Sequence, residues 1–239
     1  MTLQKQRSFI LEGNIGAGKS TFLSLIEQEL PVQIVYEPHR KWQDVGPGEN
    51  LLDRFYKDTP RWAYTFQSYA FITRVIEQQE KEKNNPHSAQ IIERSVYSDR
   101  YCFAKNCFET GTMTTLEWNL YKEWFEWLVV NYVPPPTGFI YLRTDADICY
   151  ERLCKRARQE EVGVSLGYLS SLHAKHEQWL LKKEGIADYL KDVPVLILNC
   201  NPDFQADSKK MREHIDAILS FIQIPQRMAC QETFSSISL

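Results

Sequence analysis

Short apolar runs alternate along the chain with long stretches in which apolar residues recur at a helical period. Five of the short runs predict β-strands, at residues 8–11, 32–36, 89–92, 139–142 and 195–198. Each run is largely apolar, which is typical of parallel strands that helices cover on both faces. The segments between the runs are long enough for crossover helices. The pattern therefore predicts an α/β fold with a central parallel five-stranded sheet and helices on both of its faces.

Six longer stretches predict helices, at residues 19–30, 60–83, 114–131, 146–158, 165–183 and 206–222. Three consecutive prolines at 134–136 separate the third helix from the fourth strand. No clear period continues beyond residue 224. We therefore expect one domain over residues 1–224 and a mobile tail over residues 225–239.

The composition of this 239-residue chain is that of a globular protein, with 43% hydrophobic and 25% charged residues. Its net charge of −3 gives no reason to expect a nucleic acid or an anionic membrane as a partner. No apolar run approaches the length of a membrane span. The six cysteines form no C-x-x-C pair, which favours free thiols in a reducing compartment. The expected location is cytoplasmic, or mitochondrial if a transit peptide has been removed.

A glycine-rich stretch separates the first predicted strand from the first predicted helix. Residues 13–20, GNIGAGKS, fit the pattern G-x-x-x-x-G-K-[ST] of a phosphate-binding loop. Glycine lets successive backbone N–H groups turn inward around an anion, and the helix N-terminus adds its positive dipole end. In this pattern Lys19 reaches the β- and γ-phosphates, and Ser20 offers its hydroxyl to Mg²⁺. The stretch predicts a nucleoside triphosphate site formed by Gly13, Asn14, Ile15, Gly16, Ala17, Gly18, Lys19, Ser20 and Thr21.

Charged residues follow the second and third predicted strands. Glu37 comes directly after the run 32–36, and Glu93 and Arg94 follow the run 89–92. Because the carboxyl ends of parallel strands line the ligand crevice of an open sheet, these residues are expected in that crevice. Glu37 is placed to accept a proton from an attacking hydroxyl, while Glu93 and Arg94 suit Mg²⁺ positioning and phosphate clamping. An exposed loop acid and a surface ion pair are the alternatives.

The second predicted helix carries polar side chains among many aromatic ones. Gln67, Ala70 and Arg74 are spaced i, i+3 and i+7, so they share one face. A buried glutamine amide needs hydrogen-bond partners, and a planar heterocycle with a donor beside an acceptor satisfies it while Phe66 stacks on the ring. Core packing with a water molecule as the partner of Gln67 is the alternative.

The third predicted helix, EWNLYKEWFEWLVVNY, carries more aromatic surface than one packing face buries. Most of this surface is expected in the core. A subunit interface is the second interpretation.

These motifs resemble those of the deoxyribonucleoside kinases, specifically the branch of deoxycytidine kinase and deoxyguanosine kinase. The resemblance covers nearly the whole chain and rests on EGNIGAGKSTF, EP…W, RWAYTFQSYAF, ERSVYSDRY, RARQEE and NPDF. It implies a P-loop kinase fold with an arginine-rich lid at residues 152–163. It also implies that ATP, or another nucleoside triphosphate such as UTP, phosphorylates the 5′-hydroxyl of a deoxynucleoside in nucleotide salvage. Together with the apolar helix, it implies a homodimer.

The resemblance assigns catalytic roles at the ends of the predicted strands. Glu37 would be the general base on the 5′-hydroxyl, and Arg94 would hold Glu37 and the reacting groups in place. Glu93, together with Ser20, would serve Mg²⁺.

The resemblance also places arginines over the transferring phosphoryl group. Arg152 and Arg156 are spaced i, i+4 on a helix and face one way, and Arg158 fits the same lid. In this family such arginines meet the charge that spreads in a loose transition state. Asp203 and Phe204 resemble the loop that contacts the donor base.

The nucleoside would be bound by side chains from several parts of the chain. Tyr56 and Glu161 would bind the sugar 3′-hydroxyl. Gln67 would contact the base edge in a bidentate way, with Phe66 and Phe103 stacking on the two sides of the base.

A charged pair beside the base bears on base preference. Arg74 and Asp99 would form this pair, which family members that favour thymidine generally lack. With Ala70 beside it, the pocket resembles a deoxycytidine site that also admits purine deoxynucleosides. Two positions depart from the family: His39 stands in place of a small apolar residue, and Phe55 stands in place of methionine. Both are expected to line or border the pocket.

Two rival functions predict features that differ from this sequence. A P-loop switch protein such as a GTPase needs an N-K-x-D motif, and NCNPD at 199–203 lacks the lysine. A nucleoside monophosphate kinase needs extra cationic groups for an acceptor phosphate, whereas the second helix offers an aromatic pocket beside an acid. The resemblance, which neither rival shares, therefore implies an ATP-dependent deoxynucleoside 5′-phosphotransferase.

Overall fold

A computed structural model describes residues 7–83 and 86–222 of the chain. All five predicted strands are present, and they form one parallel sheet in the order β2-β3-β1-β4-β5. The strands are β1 (Arg7–Glu12), β2 (Gln33–Val35), β3 (Ala89–Glu93), β4 (Gly138–Arg143) and β5 (Val195–Asn199). Every residue of β3 is buried, as are the last five residues of β1 and the first five of β4. Side chains alternate between the two faces of a strand, so both faces are covered here. The predicted α/β fold is confirmed.

The helices of the sheet-containing part are α1 (Lys19–Ile26), α2 (His39–Gln43), α3 (Leu51–Lys57), α4 (Thr59–Lys83), α5 (Val96–Ser98), α6 (Lys105–Glu109), α7 (Thr115–Tyr132), α8 (Ala146–Arg156), α9 (Leu166–His176) and α10 (Asp188–Lys191). A π-helical turn, Asp99–Ala104, joins α5 to α6, and a second one, Glu177–Leu181, continues α9. A 3₁₀ turn, Gln159–Glu161, follows α8. The short helices α2, α3, α5, α6 and α10 were not predicted, because so few residues show no repeating apolar period.

The described residues separate into two compact units, one that ends at Asp203 and one that begins at Phe204. In its described part the second unit contains α11 (Ser208–Ile222), which buries Ile215, Ile218 and Ile222. The single domain expected over residues 1–224 stays a prediction, and the expected mobile tail lies outside the described residues. None of the described helices has the length and hydrophobicity needed to cross a membrane. The cytoplasmic location stays a prediction.

Helix α7 divides its aromatic residues between two faces. Trp118, Tyr121, Phe125 and Val129 are buried, and the helix packs on α4. The opposite face leaves a row of apolar side chains exposed: Leu116, Leu120, Trp124, Trp127 and Val130. Core packing therefore accounts for only half of the aromatic surface of this helix.

Candidate active site

The carboxyl ends of β1, β2 and β3 meet at one cleft. A concave cleft with a few convergent polar groups is the usual kind of small-molecule site. All of the side chains predicted to bind the nucleoside line the cleft: Glu37, Tyr56, Phe66, Gln67, Arg74, Arg94, Asp99, Phe103 and Glu161. Residues of the predicted phosphate loop line the same cleft: Ile15, Gly16, Gly18, Lys19, Ser20 and Thr21.

The phosphate loop takes a backbone path that requires glycine. Gly16 and Gly18 have φ values of 80° and 90°, in the left-handed region. A Cβ atom on Gly16 would lie 2.3 Å from the carbonyl oxygen of Cys149 in α8. Asn14 supports the loop from behind, since its Nδ2 donates to the Leu169 carbonyl at 2.9 Å and its Oδ1 accepts from the Ile15 amide. The loop therefore has little freedom to change its shape.

Lys19 is buried and folds back over this loop. Its Nζ donates to the carbonyl oxygens of Asn14, at 2.8 Å, and Gly13, at 3.2 Å. Burial, together with the charge of Arg94, lowers the pKa of Lys19 to about 7. A bound phosphate chain would restore the charged form, because an anion close to an ammonium group favours it. These features fit a lysine whose ammonium group binds a phosphate anion.

Ser20 and Glu93 meet at the start of α1. Ser20 Oγ donates to Glu93 Oε1 at 2.7 Å, and the other carboxylate oxygen of Glu93 accepts from the Glu37 amide at 3.3 Å. A hydroxyl and a carboxylate are the oxygen donors that Mg²⁺ prefers, usually with waters and substrate phosphates completing the coordination. No cluster of three or more metal-ligating side chains occurs in the described part of the chain. The pair fits a Mg²⁺ ion that is held jointly with the triphosphate.

The side chain of Glu37 is buried, and its carboxylate is surrounded by cationic groups. Arg74 Nη2 and Arg94 Nε approach its Oε1, the latter at 3.3 Å. His39 Nε2 lies 2.8 Å from its Oε2. Burial alone raises the pKa of Glu37, but Arg74, His39 and Arg94 outweigh it and hold that pKa well below its ordinary value. The carboxylate is thus kept ionised, as a proton acceptor must be.

Arg94 adopts a backbone conformation that is rare for a side chain of its size. Its φ is 61°, in the left-handed region, and its amide donates to the Leu11 carbonyl of β1 at 2.8 Å. The guanidinium lies over the ring of Phe103, 4.6 Å from the centroid. Such conformations persist where the surroundings fix them, and they cluster at active sites. The sequence carries no signal for this turn.

Arg74 connects the base-binding region to Glu37. Its Nε donates to Asp99 Oδ2 at 2.8 Å, while its Nη2 bonds Glu37. Burial raises the pKa of Asp99 to about 6, although Arg74 opposes the rise. The guanidinium also lies 5.0 Å from the ring centroid of Trp42. The predicted pair of Arg74 and Asp99 therefore forms, and it extends to Glu37.

Aromatic rings line the part of the cleft next to Gln67, which we call the aromatic slot: Trp42, Phe55, Phe66 and Phe103. Phe55 and Phe66 are stacked, with centroids 4.6 Å apart and planes 19° apart, and Trp42 meets Phe66 edge-on. The Gln67 amide is buried, and its Nε2 lies 4.0 Å from the sulfur of Cys107. The slot suits a flat ring whose edge meets the amide. Trp42 was predicted only as part of a motif, and no expectation covered Tyr168, which also lines the cleft.

The predicted lid arginines divide into two groups. Arg156 and Arg158 line the cleft, where they approach Glu161 at 2.5 and 3.6 Å. Arg152 instead donates to the carbonyl oxygen of Asn201, at 3.2 Å. Helix α8 ends at Arg156 rather than at residue 158, because Ala157 turns into the left-handed region at φ 52°. The lid itself stays a prediction.

Asp203 and Phe204 lie at the junction of the two units. Asp203 ends the first unit and is exposed, whereas Phe204 begins the second and packs edge-on against the ring of His214. Their contact with a donor base stays a prediction.

A parallel sheet, a glycine-rich loop opening α1 and a facing carboxylate define a P-loop kinase. Residues 9–223 match the family model described as deoxynucleoside kinase. The chain is 41% identical to deoxycytidine kinase 2 of Gallus gallus, over 92% of this chain and 91% of that one. It is 38% identical to the mitochondrial deoxyguanosine kinase of Xenopus laevis, over 89% and 88% of the two chains. The human deoxycytidine kinase is 36% identical, over 88% and 90%.

The chain belongs to the deoxynucleoside kinase family. It is a transferase of nucleotide salvage that phosphorylates deoxynucleosides with a nucleotide as the phosphate donor.

Proposed function

We propose that this deoxynucleoside kinase transfers the γ-phosphoryl group of ATP, or of another nucleoside triphosphate such as UTP, to the 5′-hydroxyl of its substrate. Glu37 is the general base. The position of its carboxylate carries this proposal, because it lines the same cleft as the phosphate loop on one side and the aromatic slot on the other. A sugar hydroxyl between the two lies within reach of a proton acceptor and of a phosphorus atom.

In the proposed reaction, the 5′-oxygen forms a bond to the γ-phosphorus as the bond to the leaving diphosphate breaks. Glu37 takes the hydroxyl proton. Lys19, Arg94 and Arg156 face the negative charge that spreads over the phosphoryl oxygens, because all three line the cleft. Tyr56 and Glu161 hold the sugar.

Mg²⁺ is proposed as the metal of the reaction. Ser20 and Glu93 would hold it, for their oxygen atoms lie 2.7 Å apart at the entrance to the phosphate loop. When bound, it neutralises charge on the phosphates.

Deoxycytidine is proposed as the favoured base, with purine deoxynucleosides also accepted. Gln67 offers a donor beside an acceptor at the end of the aromatic slot, and the buried pair of Arg74 and Asp99 adds further polar atoms next to it. The relatives of this chain include deoxycytidine and deoxyguanosine kinases, and this range supports the same proposal.

A phosphorylation panel tests this proposal directly. The four deoxynucleosides are each supplied with ATP or UTP, and ³¹P NMR identifies the hydroxyl that receives the phosphate. We expect a 5′-monophosphate, with the highest kcat/KM for deoxycytidine and measurable turnover of the purine deoxynucleosides. A higher kcat/KM for thymidine would refute the base preference, and transfer to the 3′-hydroxyl would refute the role of Glu37.

We also propose a homodimer that buries the exposed face of α7. Leu116, Leu120, Trp124, Trp127 and Val130 recur at helical spacing on that face and are 39 to 83% exposed. Light scattering of the Trp124→Glu variant tests it, since a buried carboxylate would separate the subunits. Trp124→Phe keeps the face apolar and should keep the dimer. A wild-type chain that scatters as a monomer would exclude it.

A further inference from the structure

His39 contacts the carboxylate proposed as the general base. It is the first residue of α2, and its Nε2 lies 2.8 Å from Glu37 Oε2. Its ring meets the ring of Trp42 edge-on, with centroids 5.1 Å apart and planes at 70°. Trp42 is itself fixed, because it is buried and its indole N–H donates to Thr73 Oγ1 at 2.9 Å. The imidazole is therefore held between a carboxylate and an anchored ring.

The two oxygens of Glu37 face different partners. Oε1 faces the guanidinium groups of Arg74 and Arg94, and Oε2 faces the imidazole of His39. Both arginines have a second contact, Arg74 with Asp99 and Arg94 with the ring of Phe103. The imidazole is thus the contact that distinguishes one carboxylate oxygen from the other.

A glutamate carboxylate that is held at one oxygen can still rotate. The torsion that turns its plane joins an sp³ carbon to an sp² carbon, and its energy profile is broad. A donor on the second oxygen restricts that rotation. The restriction matters for a general base, because it must lie about 2.6–3.2 Å from the oxygen whose proton it takes.

We propose that His39 is a positioning residue for phosphoryl transfer, holding the plane of the Glu37 carboxylate through a hydrogen bond from Nε2–H to Oε2. The inference rests on the proposed role of Glu37. The proton belongs on Nε2, because an ionised carboxylate only accepts hydrogen bonds. The other ring nitrogen, Nδ1, is buried and has no hydrogen-bond partner among the described residues. The useful property of His39 is therefore a single N–H aimed at Oε2.

Two substitutions separate this role from simple packing. His39→Val keeps an apolar side chain next to Trp42 but removes the donor. His39→Gln supplies an amide N–H in place of the imidazole N–H. Both substitutions are made at one partly exposed position, because the side chain of His39 is 28% exposed. The fold should therefore tolerate either change.

Steady-state kinetics of the full chain, with the best substrate pair from the phosphorylation panel, test the inference. We expect His39→Val to lower kcat about 10- to 100-fold, as misplacement of a reacting group does. KM for the nucleoside should change no more than about twofold, because the hydrogen bond that is lost joins His39 to Glu37 and not to the nucleoside. His39→Gln should recover most of kcat. Thermal unfolding of each variant should give a Tm close to that of the wild type.

The inference is overturned if His39→Val keeps the wild-type kcat, or if His39→Gln is as slow as His39→Val. A double-mutant cycle distinguishes its failure from failure of the proposed function. In a Glu37→Gln background, adding His39→Val should cause no further loss, because the group that His39 positions is absent. Full turnover by Glu37→Gln alone would refute both roles. An inactive Glu37→Gln beside a fully active His39→Val would refute only the role of His39.

Discussion

The two sides of the cleft are built differently. The side proposed to bind the phosphate donor, here called the donor wall, comes from the consecutive backbone of the loop at residues 13–21. The side proposed to bind the nucleoside that accepts the phosphate, here called the acceptor wall, comes from side chains of separate elements. Glu37 follows β2, Gln67 and Arg74 lie on α4, and Arg94 and Asp99 follow β3. The donor wall depends on a local chain path that glycine permits. The acceptor wall depends on how distant elements pack.

The two walls also differ in how they handle charge. Lys19, on the donor wall, donates to carbonyl groups of its own loop, so it needs no acid from elsewhere. On the acceptor wall, Arg74 holds both Glu37 and Asp99, and removing one member leaves another buried charge without its partner. We therefore expect a substitution on the donor wall to affect only the phosphate loop. A substitution on the acceptor wall should also affect the charged residues that contact the replaced side chain.

The largest effect should come from Glu37→Gln on the acceptor wall. The amide cannot take the hydroxyl proton, so kcat should fall by about 10²–10⁴-fold, the usual contribution of a general base. Nucleoside binding, measured by calorimetry, should persist because the aromatic slot is intact. Glu77→Gln removes an acid that pairs with Lys41 outside the cleft lining and serves as the control. Near-normal turnover of Glu37→Gln would remove this residue from the role of base.

Gly16→Ala is the matching test of the donor wall. The new Cβ would meet the Cys149 carbonyl at 2.3 Å, so the loop must move. We expect kcat/KM for the nucleoside triphosphate to fall at least about 100-fold, as misplaced donors do. Gly48→Ala is the control, since Gly48 has a similar φ of 78° but no atom within 4 Å of the new Cβ. That change should cost only about 1 kcal/mol of stability. Equal losses in the two variants would mean that backbone strain, not the loop position, matters.

The difference between the walls also explains what the sequence could predict. The loop motif and the five strands are local patterns, so both were found from the order of residues alone. The left-handed turn at Arg94 could not be found, because no local residue pattern marks it and the amide of Arg94 bonds Leu11, which lies in a neighbouring strand. The hydrogen bond between His39 and Glu37 could not be predicted either. It depends on the short helix α2, and five residues are too few to show a repeating apolar period.

Arg152 illustrates the same limit. The i, i+4 spacing correctly places Arg152 and Arg156 on one face of α8, but a helical face does not fix the direction of a long side chain. Arg156 reaches the cleft, whereas Arg152 bonds the carbonyl of Asn201, just after β5. Only the tertiary structure, which brings the Asn201 carbonyl within reach of Arg152, decides between the two.

Glu12 offers a test at the point where the walls meet. It ends β1 just before the loop, and its Oε1 accepts from Ser95 Oγ at 2.6 Å. Burial, opposed by Ser95 and Arg94, raises the pKa of Glu12 from 4.5 to about 7. Below pH 4.5 the carboxyl is protonated in the folded and unfolded states alike. Between pH 4.5 and about 7 the unfolded state ionises first, so the wild type loses stability as pH rises.

Glu12→Gln removes this loss. The free energy of unfolding of the variant, relative to the wild type, should therefore rise by about 3 kcal/mol between pH 4 and pH 8, as 1.4 kcal/mol per pKa unit requires. Urea unfolding at several pH values measures the difference, and all other titrating groups cancel in it. A difference that stays flat over this range would mean that Glu12 ionises in the folded protein as it does in the unfolded chain.

The smallest expected effect concerns base selection, in the double variant Arg74→Met, Asp99→Ala. The double variant removes both charges of this ion pair, so neither remains buried without its partner. Arg74→Met alone would leave the Asp99 carboxylate buried without its guanidinium partner. The double variant also frees Glu37 from one partner, so kcat should fall for every base and only ratios are informative. We expect the ratio of kcat/KM for thymidine over deoxycytidine to rise about tenfold, because apolar contacts replace polar ones next to Gln67. An unchanged ratio would show that the acceptor wall selects bases through the slot and Gln67, without help from the charged pair.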